Sequence, residues 1–165
     1  MATLISHSPD ETDALGEAWG RAAESGLVIG LCGDLGAGKT QLAKGLARGL
    51  GITARVHSPT FALINVYAGG RLPLFHLDLY RLETRAQIIA AGLEDYFHPA
   101  GVSVVEWAER WFAEPRAAAP QGLAPAAPET RFPRPPTPPG ARLRWVTLET
   151  LSAAERRITY EDLGA

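Results

Sequence analysis

The stretch LVIGLCGDLGAGKTQL, residues 27–42, decides how the rest of the chain reads. Leu27 to Leu31 is a short apolar run, which suits a buried strand. It ends at Gly33, and Gly33-Asp34-Leu35-Gly36-Ala37-Gly38-Lys39-Thr40 satisfies G-x-x-x-x-G-K-T in full. From Thr40 to Leu50 the spacing predicts a helix, with Leu42, Leu46 and Leu50 on one face and Gly51 placed to end it. Strand, glycine loop and helix in that order form a phosphate cradle. The glycines let the backbone wrap a polyphosphate, so that successive N–H groups and the helix N-terminus face negative charge. Lys39 is expected to reach the β- and γ-phosphates, and the Thr40 hydroxyl to ligate Mg²⁺. A glycine-rich turn without function is outweighed by the full eight-residue match in this context.

The base is read by what the chain lacks. Guanine-specific loops of this type commonly carry an Asn-Lys-x-Asp segment, and the single asparagine, Asn65, is followed by Val66-Tyr67-Ala68. The D-x-x-G match at Asp13–Gly16 precedes the loop, which is the wrong order. ATP is therefore the expected nucleotide.

The bulk composition limits the alternatives. At 165 residues, 46% hydrophobic and 21% charged, the chain fits one domain, residues 1–165, able to bury a core. One cysteine, Cys32, rules out an internal disulfide and reads as a small core residue within LVIGLCG. The N-terminal MATLISHSPDET has no charged segment followed by an apolar core, and no run approaches the ~20 apolar residues of a membrane span. A cytoplasmic protein without membrane contact is expected. Residues 1–112 carry nine Lys/Arg against twelve Asp/Glu, and residues 113–165 seven against six. Neither part is the strongly basic surface that independent nucleic-acid binding needs. Any RNA is expected to be held mainly by another molecule.

Outward from the loop, Ser8-Pro9-Asp10-Glu11 is a capping box with proline at the first helical position, and Ala14, Leu15, Ala18, Trp19 and Ala22 extend a helix over 9–24. FALINVY and RLPLFHLDLY, joined through Ala68-Gly69-Gly70, predict a hairpin. In its second strand Phe75, Leu77 and Leu79 point one way, and His76, Asp78 and Tyr80 the other. Thr84-x-x-Gln87 caps a short helix that ends near Gly92, and VSVVEW, residues 102–107, is a second buried strand turning into helix. Residues 113–140 hold nine of the thirteen prolines, a composition too poor in large apolar side chains to offset its ordering entropy. The span reads as a mobile, partly polyproline insert, with a proline-motif docking site as the alternative. RLRWVTLET and RRITYEDL follow as two closing strands.

Two acids stand where strand ends deliver them to the carboxyl edge of a parallel sheet. Glu106 follows the apolar run Val102–Val105, and Asp78 lies on the polar face of FHLDLY. Both are candidates for the metal and for orienting water, against the plain reading of solvated strand-end carboxylates. His76 reads as structural, with an orienting role as the alternative. In HSPTF, residues 57–61, Ser58 and Thr60 either sense the γ-phosphate or form a simple turn.

Taken together, GDLGAGKT, SPTF, HLDLYR and VVEWAER, in this order, resemble the bacterial TsaE (YjeE) family, as do SPDETDALG and GLEDYF. The resemblance covers residues 4–112 and resumes weakly at 142–160. It implies an α/β, P-loop NTPase-like fold with parallel core strands flanked by antiparallel strands and helices on both faces. It also implies Mg²⁺-dependent ATP hydrolysis supporting N6-threonylcarbamoyladenosine formation on tRNA, with the threonylcarbamoyl transferase (TsaD) and its paralogue (TsaB) as partners. Contact with tRNA would be indirect. By the same resemblance, Lys39 and Thr40 match the phosphate and metal positions, and Glu106 the acid at metal and water. Asp78 matches the HLDLYR aspartate, Trp107 the tryptophan after the glutamate, and Thr60 the SPTF threonine. Thr12 matches an N-terminal threonine near the nucleotide. The departure is the 113–140 insert, which bears on the closing strands and on any contact from Arg156 or Arg157. Two rival functions use the same loop: a non-catalytic nucleotide-gated adaptor, and a small-molecule kinase, for which no arginine-bearing lid is visible.

Overall fold

A computed structural model describes residues 1–113, 132–136, 140 and 142–164. Among them the elements run β1 (Ala2–Ser6), α1 (Pro9–Ala22), β2 (Leu27–Cys32), α2 (Lys39–Gly49), β3 (Ile64–Tyr67), β4 (Leu74–Asp78), α3 (Arg85–Ala90), a 3₁₀ turn (Glu94–Phe97), β5 (Val102–Glu106), α4 (Glu109–Phe112), β6 (Arg142–Thr150) and β7 (Arg156–Leu163).

The strands form one sheet in the order β1-β7-β6-β2-β5-β4-β3. Its centre, β6-β2-β5-β4, is parallel, and the outer pairs β3·β4, β6·β7 and β1·β7 are antiparallel. This is the expected α/β arrangement of parallel core and antiparallel flanks. Every residue of β5, and all of β2 after Leu27, is buried, as both-face coverage of a parallel strand requires. One face packs Trp19 of α1 and Leu42, Ala43 and Leu46 of α2 against Ile29, Leu31, Val104 and Val146. The other packs Ile88 of α3 and Phe112 of α4 against Val28, Leu77, Val105 and Trp145.

Helix α1 starts as the capping box predicts: the Ser8 side chain accepts from the Glu11 N–H, and Glu11 Oε2 accepts from the His7 N–H. It lies unusually close to α2. A methyl group on Gly45 would stand 1.9 Å from the Asp13 carbonyl oxygen, and one on Gly16 2.3 Å from that of Leu42. Gly20 and Gly49 make the same approach at 2.3 and 2.1 Å, so four glycines let two backbones touch. Arg48 then ties α2 to Asp13 and Glu17 of α1.

Two readings are corrected and one strand is added. Helix α1 ends at Ala22, short of residue 24. Strand β1 was not anticipated; it pairs with β7 from Ala2↔Tyr160 to Ser6↔Arg156. The supposed polar face of FHLDLY does not meet water within β4, because His76 and Asp78 are 0% and 2% exposed; only Tyr80, beyond the strand, is exposed. Strand β4 lies inside the sheet, so its alternation separates two covered faces rather than core from solvent. The expected hairpin forms as β3–β4, with Asn65 opposite His76. Most of the 113–140 insert lies outside the described residues. Within it, Phe132 packs against the α3/α4-side core and Pro135 is buried.

Candidate active site around the glycine loop

Strand pairing brings the two acids to one edge. Glu106 is in register with Leu31 of β2 on one side and with Asp78 of β4 on the other. The glycine loop leaves β2 directly beside them. A Cβ on Gly33 would sit 2.6 Å from the Leu148 carbonyl oxygen, so the loop is seated against β6. Gly36 and Gly38 have φ of 81° and 103°, a left-handed backbone that glycine adopts without strain. Gly38 is the N-cap of α2, whose first turn carries no acidic side chain to compete for an anion.

Lys39 is only 4% exposed. Its Nζ donates to the carbonyls of Gly33 (2.7 Å) and Asp34 (2.8 Å), and the Ala37 N–H also donates to Asp34 O (3.0 Å). Nζ further lies 4.4 Å from the centroid of the Trp107 ring. Burial pulls the Lys39 ammonium below its ordinary pKa, against the opposing pull of Glu106, Glu109 and Asp78. Leu35 is exposed at the loop tip and Ala37 is buried beneath it.

On the β5 side, the Thr40 hydroxyl donates to Glu106 Oε1 at 2.8 Å. His76 Nε2 lies 2.8 Å from the same oxygen, and His76 Nδ1 is buried without a partner. With Glu106 ionised, the network assigns the proton to Nε2, which donates to the carboxylate. His76 and Thr40 thus meet the same carboxylate oxygen.

Asp78 is held differently. Its Oδ2 accepts from Ser58 Oγ (2.8 Å) and Thr60 Oγ1 (2.9 Å), while Oδ1 accepts from the Tyr80 N–H (2.9 Å). The Ser58 and Thr60 side chains thus close on the strand-end acid, which is more than a simple turn would give. Trp107 takes a left-handed φ of 59° and packs against Tyr80, with ring centroids 5.0 Å apart. Thr12 is buried beside the loop, its methyl 3.8 Å from where a Cβ on Gly38 would be, and its hydroxyl hydrogen-bonds Ser6 Oγ (2.8 Å).

Glu109 is the acidic residue that the sequence reading passed over. Burial raises its carboxyl above the usual carboxylate range, and Oε2 is buried without a hydrogen bond. It faces Cys32, a fully buried thiol whose pKa is pushed well up, first by burial and then by Glu109. The helical turn after EW signals this position, since Glu109 is the first residue of α4.

The donor set fits a hard divalent cation. A hydroxyl and a carboxylate oxygen stand 2.8 Å apart at the helix start, next to a loop shaped for phosphates. Among the described residues no group of three or more His, Cys, Asp or Glu could hold a metal alone.

Comparison with known proteins places the chain among its relatives. The family model described as threonylcarbamoyl adenosine biosynthesis protein TsaE matches residues 6–125. The tRNA threonylcarbamoyladenosine biosynthesis protein TsaE of Bacillus subtilis is 50% identical over 101 residues, which are 61% of this chain and 63% of that protein. That of a Nostoc species is 46% identical over 67% of this chain and 70% of its own length. The chain thus spans about two thirds of the length of these curated relatives. The crystal structure of Bacillus subtilis YdiB superposes with a TM-score of 0.69 at 33% identity, over 99% of this chain and 86% of that one. A strand–glycine loop–helix cradle beside a strand-end glutamate, matched through its whole length by one family model, makes this chain a member of the TsaE family of threonylcarbamoyl adenosine biosynthesis proteins.

Proposed function

We propose that this chain is a Mg²⁺-dependent ATPase serving N6-threonylcarbamoyladenosine formation on tRNA. It acts in the cytoplasm as an accessory subunit to the threonylcarbamoyl transferase (TsaD) and its paralogue (TsaB). One domain, residues 1–165, carries the activity. No described helix is long and apolar enough to cross a membrane. The near-neutral charge leaves tRNA to the assembly as a whole.

The observation that carries the reading is the chain Thr40–Glu106–His76 at the mouth of the glycine loop. Phosphoryl transfer needs positioning and charge stabilisation more than covalent chemistry. The Gly36–Gly38 backbone and the α2 N-terminus receive the phosphates, and Lys39 moves from the Gly33 and Asp34 carbonyls toward the β- and γ-oxygens. Thr40 and Glu106 would hold Mg²⁺, which when bound neutralises charge on the phosphate oxygens. Glu106, hydrogen-bonded to His76, accepts a hydrogen bond from the attacking water. Ser58 and Thr60, tied to Asp78, lie where the terminal phosphate can break or keep their bonds, and so can relay nucleotide state to a partner.

The test is ATP hydrolysis by the purified chain, alone and with both partner subunits and tRNA. Slow turnover alone, accelerated by the partners, is expected. Fast hydrolysis unchanged by them would reject the accessory role. Undiminished support of tRNA modification by a Glu106→Ala chain would favour the non-catalytic adaptor.

A further inference from the structure

The sheet face turned away from α1 and α2 carries a cavity that the nucleotide reading does not use. Strands β1, β7 and β6 form its floor, where Thr3, Thr159 and Thr147 stand in one row across the three strands. Two residues earlier on β6, Trp145 lies opposite Glu161 of β7. Phe132 and Arg134 complete the lining from the chain before β6. The cavity measures about 790 Å³, within the range of small-molecule sites. Its aromatic residues Trp145 and Phe132 belong to the α3/α4-side core, whereas α2 packs on the opposite face.

One polar atom of this lining is unused. Trp145 is 5% exposed, and its Nε1 is buried with no hydrogen-bond partner among the described residues. An indole N–H can only donate, and leaving such a group unsatisfied costs about 1–3 kcal/mol. Packing sets its direction. A Cβ on Gly30 of β2 would stand 3.1 and 3.2 Å from the Trp145 atoms Cε3 and Cζ3. Those atoms form one long edge of the indole and Nε1 lies on the other, so the N–H turns away from β2 to the β7 side, where the cavity opens. The charged side chains of the lining are already matched. Arg134 pairs with Glu161 at 3.6 Å, and Arg157 with Glu149 at 3.4 Å. The Thr3 and Thr159 hydroxyls lie 3.2 Å apart.

We propose that this cavity is a second ligand site, which takes a small uncharged molecule with a flat apolar body and a carbonyl or ring-nitrogen acceptor. Trp145 Nε1 donates to that acceptor, and the Phe132 and Trp145 rings supply contact for the flat body. A carboxylate or phosphate would need a cation to offset its desolvation, and both arginines are spent on glutamates. A plain hydrocarbon would leave the indole donor stranded. An amide carbonyl meets both conditions. The site stands apart from the glycine loop and does not depend on what the loop binds.

The test uses three flat probes of similar size on the isotope-labelled full-length chain: benzamide, benzoate and toluene. The chain has four tryptophans, so NMR shows four indole N–H signals, and Trp145 is the one lost in Trp145→Phe. Benzamide is expected to shift the Trp145 signal saturably, with benzoate and toluene at least about tenfold weaker. Thr159→Phe, which fills the cavity from β7, should abolish that shift while the other three indole signals stay in place. Phe132→Ala, which removes a wall and leaves the sheet untouched, should weaken benzamide severalfold. Trp145→Phe, followed on the probe's own resonances, should weaken it about tenfold. ADP with Mg²⁺ should not displace benzamide. No saturable shift, toluene or benzoate binding as tightly as benzamide, displacement by ADP, or an affinity unchanged in Phe132→Ala and Trp145→Phe would each overturn the proposal.

Discussion

Glu106 accepts from Thr40, lies hydrogen-bonded to His76 and is 3% exposed, so its truncation leaves two polar partners stranded. Glu106→Ala should cost about 1–3 kcal/mol of stability, read by denaturant unfolding, besides abolishing hydrolysis. Glu106→Gln keeps the side chain's shape and an acceptor oxygen, so it should abolish turnover while unfolding near wild type. Equal destabilisation by both would show that the charge, not the hydrogen bonding, holds this corner. Glu109 yields a pH prediction. Burial raises its carboxyl pKa, so the folded chain binds that proton more tightly than the unfolded chain does. The ionised form therefore costs stability above the unfolded value of about 4.3, and the cost fades as pH falls toward it. Glu109→Gln should accordingly gain melting temperature relative to wild type at pH 7 compared with pH 4; a difference independent of pH would contradict this. At this scale the sequence exposed the loop, Thr40 and Glu106, because motif and strand-end position carry their own physics. It did not expose the partners: Ser58 and Thr60 meet Asp78 across about twenty residues, and Thr40 meets Glu106 across sixty-six. Such contacts are set by sheet register.

Among the elements, the α1–α2 contact is the most sensitive. Gly45 has no room for a side chain, since the atoms that a methyl would meet belong to the Asp13 backbone. Gly45→Ala should destabilise by about 2–4 kcal/mol in thermal or denaturant unfolding, and because α2 begins at Lys39 it should also weaken nucleotide binding. A Gly45→Ala chain as stable as wild type would mean that α1 can move away at little cost. These glycines were present in the sequence but silent, because a helical glycine shows its purpose only when a second backbone lies against it. The capped starts of α1 and α3 were legible, since Ser8 and Thr84 each accept from the N–H three residues on. Strand β1 was not legible: ATLIS is short and mixed, and it is held by its pairing with β7 at the far end of the chain. FHLDLY misled for a related reason, as alternation reads as inside against outside only when one face of a strand meets solvent.

For the whole molecule, the sheet divides labour across β2. Acids and hydroxyls stand on the β4–β5 side, and the glycine loop is seated against β6 on the other. The fold class followed from the strand–loop–helix unit, whereas the strand order required β6 to return to the centre of the sheet beside β2, across the proline-rich span. The residues matched by the family model, 6–125, contain the loop and both acids. The most direct measurement is a crystal structure of the chain grown with Mg²⁺ and a non-hydrolysable ATP analogue. The account predicts the phosphate tail within residues 33–40 and the metal shared by Thr40 and Glu106. An analogue bound elsewhere, or a Glu106 side chain turned away from the metal, would contradict it.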